Sequence, residues 1–187
     1  MNKVFALAAV LIASALAASA EPPATWLVDK PSSSIRFTSS YGGQSFRGLF
    51  RSWNADIRFD PADLAASSVT VTIDPASAAT GDADRDQALP TDAFLAAAKF
   101  PHAVYASHTF KSLGGGRYQT LGTLTLRGVA QPLALPFTLA ITGAKAHMTA
   151  QLAINRLAFG VGQDEWRKTD VVPASVGLDI QVNAQRR

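Results

Sequence analysis

Apolar and polar residues alternate with a period of two over much of this chain. Val69, Val71 and Ile73 interleave with Thr70, Thr72 and Asp74, and Leu133, Leu135, Phe137, Leu139 and Ile141 with smaller or polar neighbours. Met148, Ala150, Leu152 and Ile154 repeat the pattern, as do Val176, Leu178, Ile180 and Val182 against Ser175, Gly177, Asp179 and Gln181. Shorter runs occur at Ile35/Phe37, Ile57/Phe59 and Leu124/Leu126. Successive side chains of a strand point to opposite faces, so each segment has one apolar and one wetter face. Parallel strands covered on both sides would read as unbroken apolar runs. The alternation therefore predicts antiparallel strands. Tyr41-Gly42-Gly43, Gly114-Gly115-Gly116, Arg127-Gly128 and Thr142-Gly143 mark the turns between them.

Helical signal is scarce. Asp60-Pro61-Ala62-Asp63-Leu64 reads as a capped single turn with proline at its first position. The stretch from Asp82 to Ala98, in the longest connection, predicts one or two short helices, with Thr91 as a cap, Phe94 and Leu95 as anchors and Phe100-Pro101 as the stop. About eight strands with one helical excursion leave a sandwich or a closed up-and-down barrel. Closure removes exposed edges, and a barrel of about eight strands either fills with side chains or holds one elongated ligand. With the polar face in solvent, any cavity would be lined by the apolar set.

The N-terminus breaks the alternation. Lys3 precedes an apolar run from Val4 to Ala18, and Ala18-Ser19-Ala20 offers the small-x-small pattern that a signal peptidase reads. The run is shorter than the roughly 20 residues a spanning helix needs, so residues 1–20 are expected to be a cleaved signal peptide. Residues 21–187 then form a single domain exported to the periplasm; a retained run would instead tether that domain to a membrane. The chain has no cysteine, which excludes a lipid-bearing cysteine, disulfide chemistry and zinc–thiolate sites. Its net charge of +3 falls to +2 once Lys3 is removed, and no run of Lys/Arg concentrates it. Nucleic acid is not an expected partner.

Candidate chemistry is sparse. Asp82-Ala83-Asp84-Arg85-Asp86 opens like a calcium loop, but Gln87 and Ala93 stand where an EF-hand needs Gly and Glu. His102, His108 and His147 lack the helical pairing of a metal site. There is no Gly-x-Ser-x-Gly elbow, no acid/base pair and no glycine-rich phosphate loop. No catalytic set, metal or cofactor is expected, which argues against an enzyme. The dispersed aromatics, Trp26, Phe46 and Tyr118 among them, suit either core packing or a pocket wall.

Several segments together resemble the YceI-like family of bacterial lipid-binding proteins. Trp26-Leu27-Val28-Asp29 with Ser34-Ile35-Arg36-Phe37 is similar to the family's first hairpin, and Phe46-Arg47-Gly48-Leu49-Phe50 and Ile57-Arg58-Phe59-Asp60-Pro61 to its next strands. Asp84-Arg85-Asp86-Gln87-Ala88-Leu89, Asp92-Ala93-Phe94 and Lys99-Phe100-Pro101 resemble its arginine–aspartate helix, Asp-x-Phe turn and Lys-aromatic-Pro stop. Gly122-Thr123-Leu124-Thr125-Leu126-Arg127-Gly128-Val129, followed by Pro132, resembles its signature β-turn. The likeness runs from Trp26 to about Ala184. Ser39-Ser40-Tyr41 replaces a histidine common in the family, so no role of that histidine carries over.

The resemblance implies an all-β protein: an extended, eight-stranded, antiparallel, lipocalin-like barrel with one or two short helices in the longest connection. It implies a tunnel for a long isoprenoid, isoprenoid quinone or fatty-acyl chain, without catalysis. The lining is expected from Phe37, Phe50, Phe94, Phe100, Tyr105, Phe110, Leu124, Leu126, Leu135, Phe137, Leu139, Leu152, Ile154, Phe159 and Trp166. Arg85 and Asp86 are expected at the mouth, as head-group residues or as a structural ion pair. Phe159-Gly160-Val161-Gly162-Gln163-Asp164-Glu165-Trp166 is similar to members found beside or fused to membrane b-type cytochromes, which adds such a cytochrome as a candidate partner. A protein-interaction module and an enzyme on a hydrophobic substrate remain the alternatives, and monomer and homodimer are both open.

Overall fold

A computed structural model describes residues 23–187, so the expected signal peptide lies outside the described residues. The strands are β1 (Thr25–Val28), β2 (Ser34–Tyr41), β3 (Gln44–Phe50), β4 (Trp53–Arg58), β5 (Ser68–Ile73) and β6 (Ala78–Ala79). Helix α1 (Ala83–Ala88) follows, then β7 (Ala103–Ser107), β8 (Phe110–Gly114), β9 (Arg117–Leu126), β10 (Val129–Thr142), β11 (Lys145–Asn155) and β12 (Ser175–Arg186). Every pairing is antiparallel, and β1-β4-β5-β7-β9-β10-β11-β12 closes on itself because β12 also pairs with β1. This is a closed eight-stranded barrel. β2 and β3 lengthen its wall, β2 pairing with β12 beyond β1 and β3 with β6 beyond β4.

The extra segments come from interruptions. β1 and β2 run in line along β12, broken by a single 3-10 turn at Lys30–Ser32. β5 and β6 are broken by another at Pro75–Ser77, where Asp74 Oδ1 accepts from the Ala76 N–H at 2.9 Å. The Asp60 turn uses the same Asx-Pro device, with Oδ1 accepting from Ala62 N–H at 2.9 Å. The Lys30 ammonium bridges its break by donating to the Trp53 carbonyl and sitting 3.5 Å from the Trp53 ring centroid. Burial pushes its pKa down.

The two ends of the barrel differ. At one, the hairpin end, β10 and β11 join through Gly143-Ala144, and residues 59–67 join β4 to β5. At the other, the loop end, lie the long connection from residue 80 to 102, the tip of the β2–β3 hairpin and the loop from residue 156 to 174. The long connection holds one α-helix, not two; beyond it the chain forms turns, with Phe94 and Ala96 N–H groups both bonding Thr91 O. Arg127 (φ 52°) and Gly128 (φ 75°) form a left-handed two-residue turn between β9 and β10. Glycine is required at the second position twice over, since a Cβ there would fall 2.5 Å from Phe100 Cε1.

Candidate functional site

The inward rows of the barrel line one cavity of about 640 Å³. Leu124 and Leu126 from β9, Leu133 to Ile141 at alternate positions of β10, Met148, Leu152 and Ile154 from β11 and Val176 to Val182 from β12 all face it. Its wall is apolar for most of its length, with Asp82, Asp84 and Arg85 contributed from the loop end.

At the hairpin end the wall thickens into an aromatic plug. Phe59, 5% exposed, meets Phe110, Tyr118 and Phe137 edge-on at centroid distances of 5.4, 5.4 and 6.3 Å. The Trp26 indole N–H donates to Phe59 O at 2.9 Å, satisfying a buried donor without opening the plug.

Tyr105 lies across the middle. Its ring covers Gly122, where a Cβ would come within 2.6 Å of the Tyr105 Cζ, so the glycine makes room for the ring. The phenol donates at long range to Leu133 O (3.3 Å) and Thr120 O (3.4 Å), and burial pushes its pKa up. Phe37 packs on Phe50 at 5.3 Å on the loop side of this point.

Three segments cover the loop end. The first is α1, capped by Asp82, whose carboxylate accepts from the Arg85 N–H at 3.0 Å. The Arg85 guanidinium meets the same carboxylate at 3.3 Å and lies 4.8 Å from the Phe46 ring centroid. The second is the β2–β3 tip, where Tyr41 packs against Trp166 at 6.3 Å. The third is the loop after β11, whose 3-10 turn Asp164–Arg167 sets Trp166 against Phe94 at 5.3 Å. Backbone bonds tie them together: Gly162 and Gln163 N–H to Ala93 O, and Gly42 N–H to Val171 O, at 2.8–3.0 Å.

Arg156 anchors that third segment. It is 3% exposed, and its guanidinium donates to the carbonyls of Pro173, Val161, Lys168 and Val172 at 2.9, 2.8, 3.2 and 2.7 Å. Among the described residues no carboxylate joins it, and desolvation lowers its pKa.

Most of the expected lining residues meet at this cavity: Phe37, Phe50, Phe94, Tyr105, Phe110, Leu124, Leu126, Leu135, Phe137, Leu139, Leu152, Ile154 and Trp166 all line it. Phe100 does not, because its ring is taken up beneath the Arg127-Gly128 turn. Phe159, 4% exposed, packs into the core around Phe37 and Leu124 and also lies outside the lining. Arg85 is at the mouth, but Asp86 is not part of the cavity wall. Neighbouring helix residues project about 100° apart, whereas residues three apart share a face, so Arg85 pairs with Asp82 and Asp86 turns to Thr80. The Asp86 carboxylate accepts from Thr80 N–H (2.6 Å), Thr80 Oγ1 (2.7 Å) and Gly81 N–H (3.3 Å), and these bonds, the Thr80 hydroxyl first, hold it below the usual carboxylate range. Trp26, Ile35, Trp53, Phe59, Met148 and Val182 also line the cavity; the period-two runs already place most of these on apolar faces. Among the described residues no three His, Asp or Glu side chains could hold a metal ion, and no helix is long and apolar enough to cross a membrane.

A closed antiparallel barrel around a long apolar chamber defines a lipocalin-like β-barrel. Residues 26–185 match the model of the YceI-like domain, and the chain belongs to the YceI-like family. It is 33% identical over 205 aligned positions to a UPF0312 protein of Shewanella baltica, covering 97% of each chain. Among solved structures it is similar to Burkholderia cenocepacia BcnA, with a TM-score of 0.82 and 31% identity over 85% of this chain and 100% of that one. It shares the fold of a polyisoprenoid binding domain from Saccharophagus degradans implicated in plant cell wall breakdown, with a TM-score of 0.66 and 15% identity over 89% of this chain and 100% of that one.

Proposed function

We propose that this protein is a periplasmic carrier, freed of residues 1–20, that sequesters one long apolar chain, isoprenoid or fatty-acyl, inside its barrel. The observation that carries this reading is the continuous cavity of about 640 Å³ lined by the inward rows of the strands. That volume falls within the roughly 300–1,000 Å³ of small-molecule sites. Burial of the chain supplies the affinity, at about 0.8 kcal/mol per CH₂ before the costs of binding. Asp82, Asp84 and Arg85 lie at the loop end, where a head group would emerge, and Arg85 is a cation that would meet it. A holding role is supported by the lining, which is aliphatic and aromatic along the barrel and gathers Asp82, Asp84 and Arg85 at the loop end.

The test is titration of delipidated protein with fluorescent fatty-acyl and prenyl probes, followed by calorimetry. One-to-one saturable uptake with a negative heat-capacity change is expected from apolar burial. Uptake of neither probe contradicts the reading.

A further inference from the structure

The barrel wall is incomplete along one seam. β10 spans 14 residues and β11 spans 11, yet they pair only from Thr142↔Lys145 to Thr138↔Thr149. The same register would continue from Phe137 opposite Ala150 to Pro132 opposite Asn155, and none of those pairs forms. Over that stretch each strand pairs only with its outer neighbour, β10 with β9 and β11 with β12.

The sequence explains the gap. Leu139 N–H donates to Gly116 O, so odd-numbered residues of β10 aim their N–H groups at β9 and even-numbered ones at β11. Pro132 and Pro136 are even-numbered and have no N–H, so of the three donors β10 would offer β11 past Thr138, at 136, 134 and 132, only that of Ala134 remains. Beyond the gap the chain returns to β10, where Gln131 Nε2 donates to Ala158 O at 3.5 Å. The seam is thus bounded by the hairpin ladder on one side and this contact on the other.

Leu133 and Leu135 on one edge and Leu152 and Ile154 on the other line the cavity, so the seam opens onto it. The exposed residues of its two edges, Pro132, Ala134, Pro136, Gln151 and Ala153, are uncharged; one strand further out stand Leu121, 56% exposed opposite Ala134, and Asp179, which accepts from Gln151 Nε2 at 3.0 Å. The loop end offers a costlier route. Opening it breaks the Ala93 and Val171 backbone bonds or the four carbonyl bonds of Arg156, whereas widening the seam breaks no β-ladder bond.

We propose that the apolar chain enters and leaves the barrel sideways, through the β10–β11 seam. This rests on the carrier reading above. Ala134→Cys/Ala153→Cys places the only two thiols of the protein across the seam, since the native chain has no cysteine. They are joined with a reducible bis-maleimide, and a fluorescent fatty-acyl probe is followed by stopped flow. The link slows both uptake and release at least tenfold, leaves the dissociation constant unchanged, and loses its effect on reduction. A comparable disulfide at the loop end, Ala93→Cys/Gln163→Cys, leaves both rates unchanged. Unchanged rates in the seam-linked protein, or equal slowing by the loop-end link, overturn the proposal. An unlinked protein that takes up no probe overturns the carrier reading itself. Pro132→Val/Pro136→Val provides a test without a cross-link: restored donors zip the ladder, protect the Gln151 and Ala153 amides from hydrogen exchange and slow the probe, and fast exchange with protected amides overturns the proposal.

Discussion

The hairpin end and the loop end close the same barrel by different physics. At the hairpin end the closure is apolar: Phe59, Phe110, Tyr118, Phe137 and Trp26 fill the section with rings, and one indole bond is its buried polar contact. At the loop end the ties are mostly polar: Trp166 packs on Tyr41 and Phe94, but Asp86 on Thr80, Arg156 on four carbonyls and the backbone bonds to Ala93 hold the segments of irregular chain over the opening. Ring packing is undirected and hard to open piecemeal, while a hydrogen-bonded cover can be released one tie at a time. One end is closed by packed rings and the other by hydrogen-bonded ties.

The contrast can be broken most sharply by Phe59→Ala. Loss of a buried phenylalanine with three ring neighbours is expected to cost about 3–5 kcal/mol, measured by urea unfolding with a single transition for the whole barrel. A cost under about 1 kcal/mol would mean that the plug is not the stable end. Arg156→Met comes next, at roughly 3 kcal/mol or less globally, because four carbonyls lose a charged donor. Its signature is local: hydrogen exchange accelerates in residues 160–174 before the strands respond. Uniform acceleration would erase the distinction between the ends.

These two residues also differ in how readable they are from sequence. Phe59 belongs to the Ile57/Phe59 alternation, and such runs disclose seven of the eight passes of the barrel, all but β7, and most of the cavity wall, because period two is imposed by the strand itself. Arg156 follows a predicted strand with no acid in register, and its partners are backbone carbonyls that every residue carries, so nothing in its neighbours identifies it. The interruptions were partly legible. Asp74-Pro75 and Asp60-Pro61 are the same signal, but the apolar pattern on either side of Asp74 hides the break. The partner of Asp86 is not legible, because the Asp84-Arg85-Asp86 spacing does not reveal which carboxylate faces Arg85; helix phase gives Arg85 to Asp82 and Asp86 to Thr80. Pro132 and Pro136 keep the alternation intact while removing donors on one side, so the pattern reports a strand and is silent on the missing neighbour.

Smaller effects sharpen the loop end further. Asp86 has its pKa lowered in the folded state, so its stabilisation is fully present above the unfolded carboxylate value of about 3.9 and is lost as pH falls through the lowered folded value. Asp86→Asn should therefore unfold more easily than the parent at pH 7, with the difference shrinking as both are titrated below pH of about 4. A constant difference at all pH values would assign the loss to something other than the carboxylate. Arg85→Ala is expected to matter least for stability, under about 1 kcal/mol, since its pair with Asp82 is partly exposed. Its effect should fall on anionic acyl probes and spare neutral prenyl ones, and equal weakening of both would remove Arg85 from the head-group position.

The chamber between these two ends is proposed to hold an apolar chain. Native mass spectrometry of the protein purified from its own host without detergent tests this most directly. A bound mass that organic extraction removes and that belongs to a long isoprenoid or acyl lipid is expected. A spectrum containing only the bare polypeptide, from protein that afterwards takes up no such chain, would contradict it.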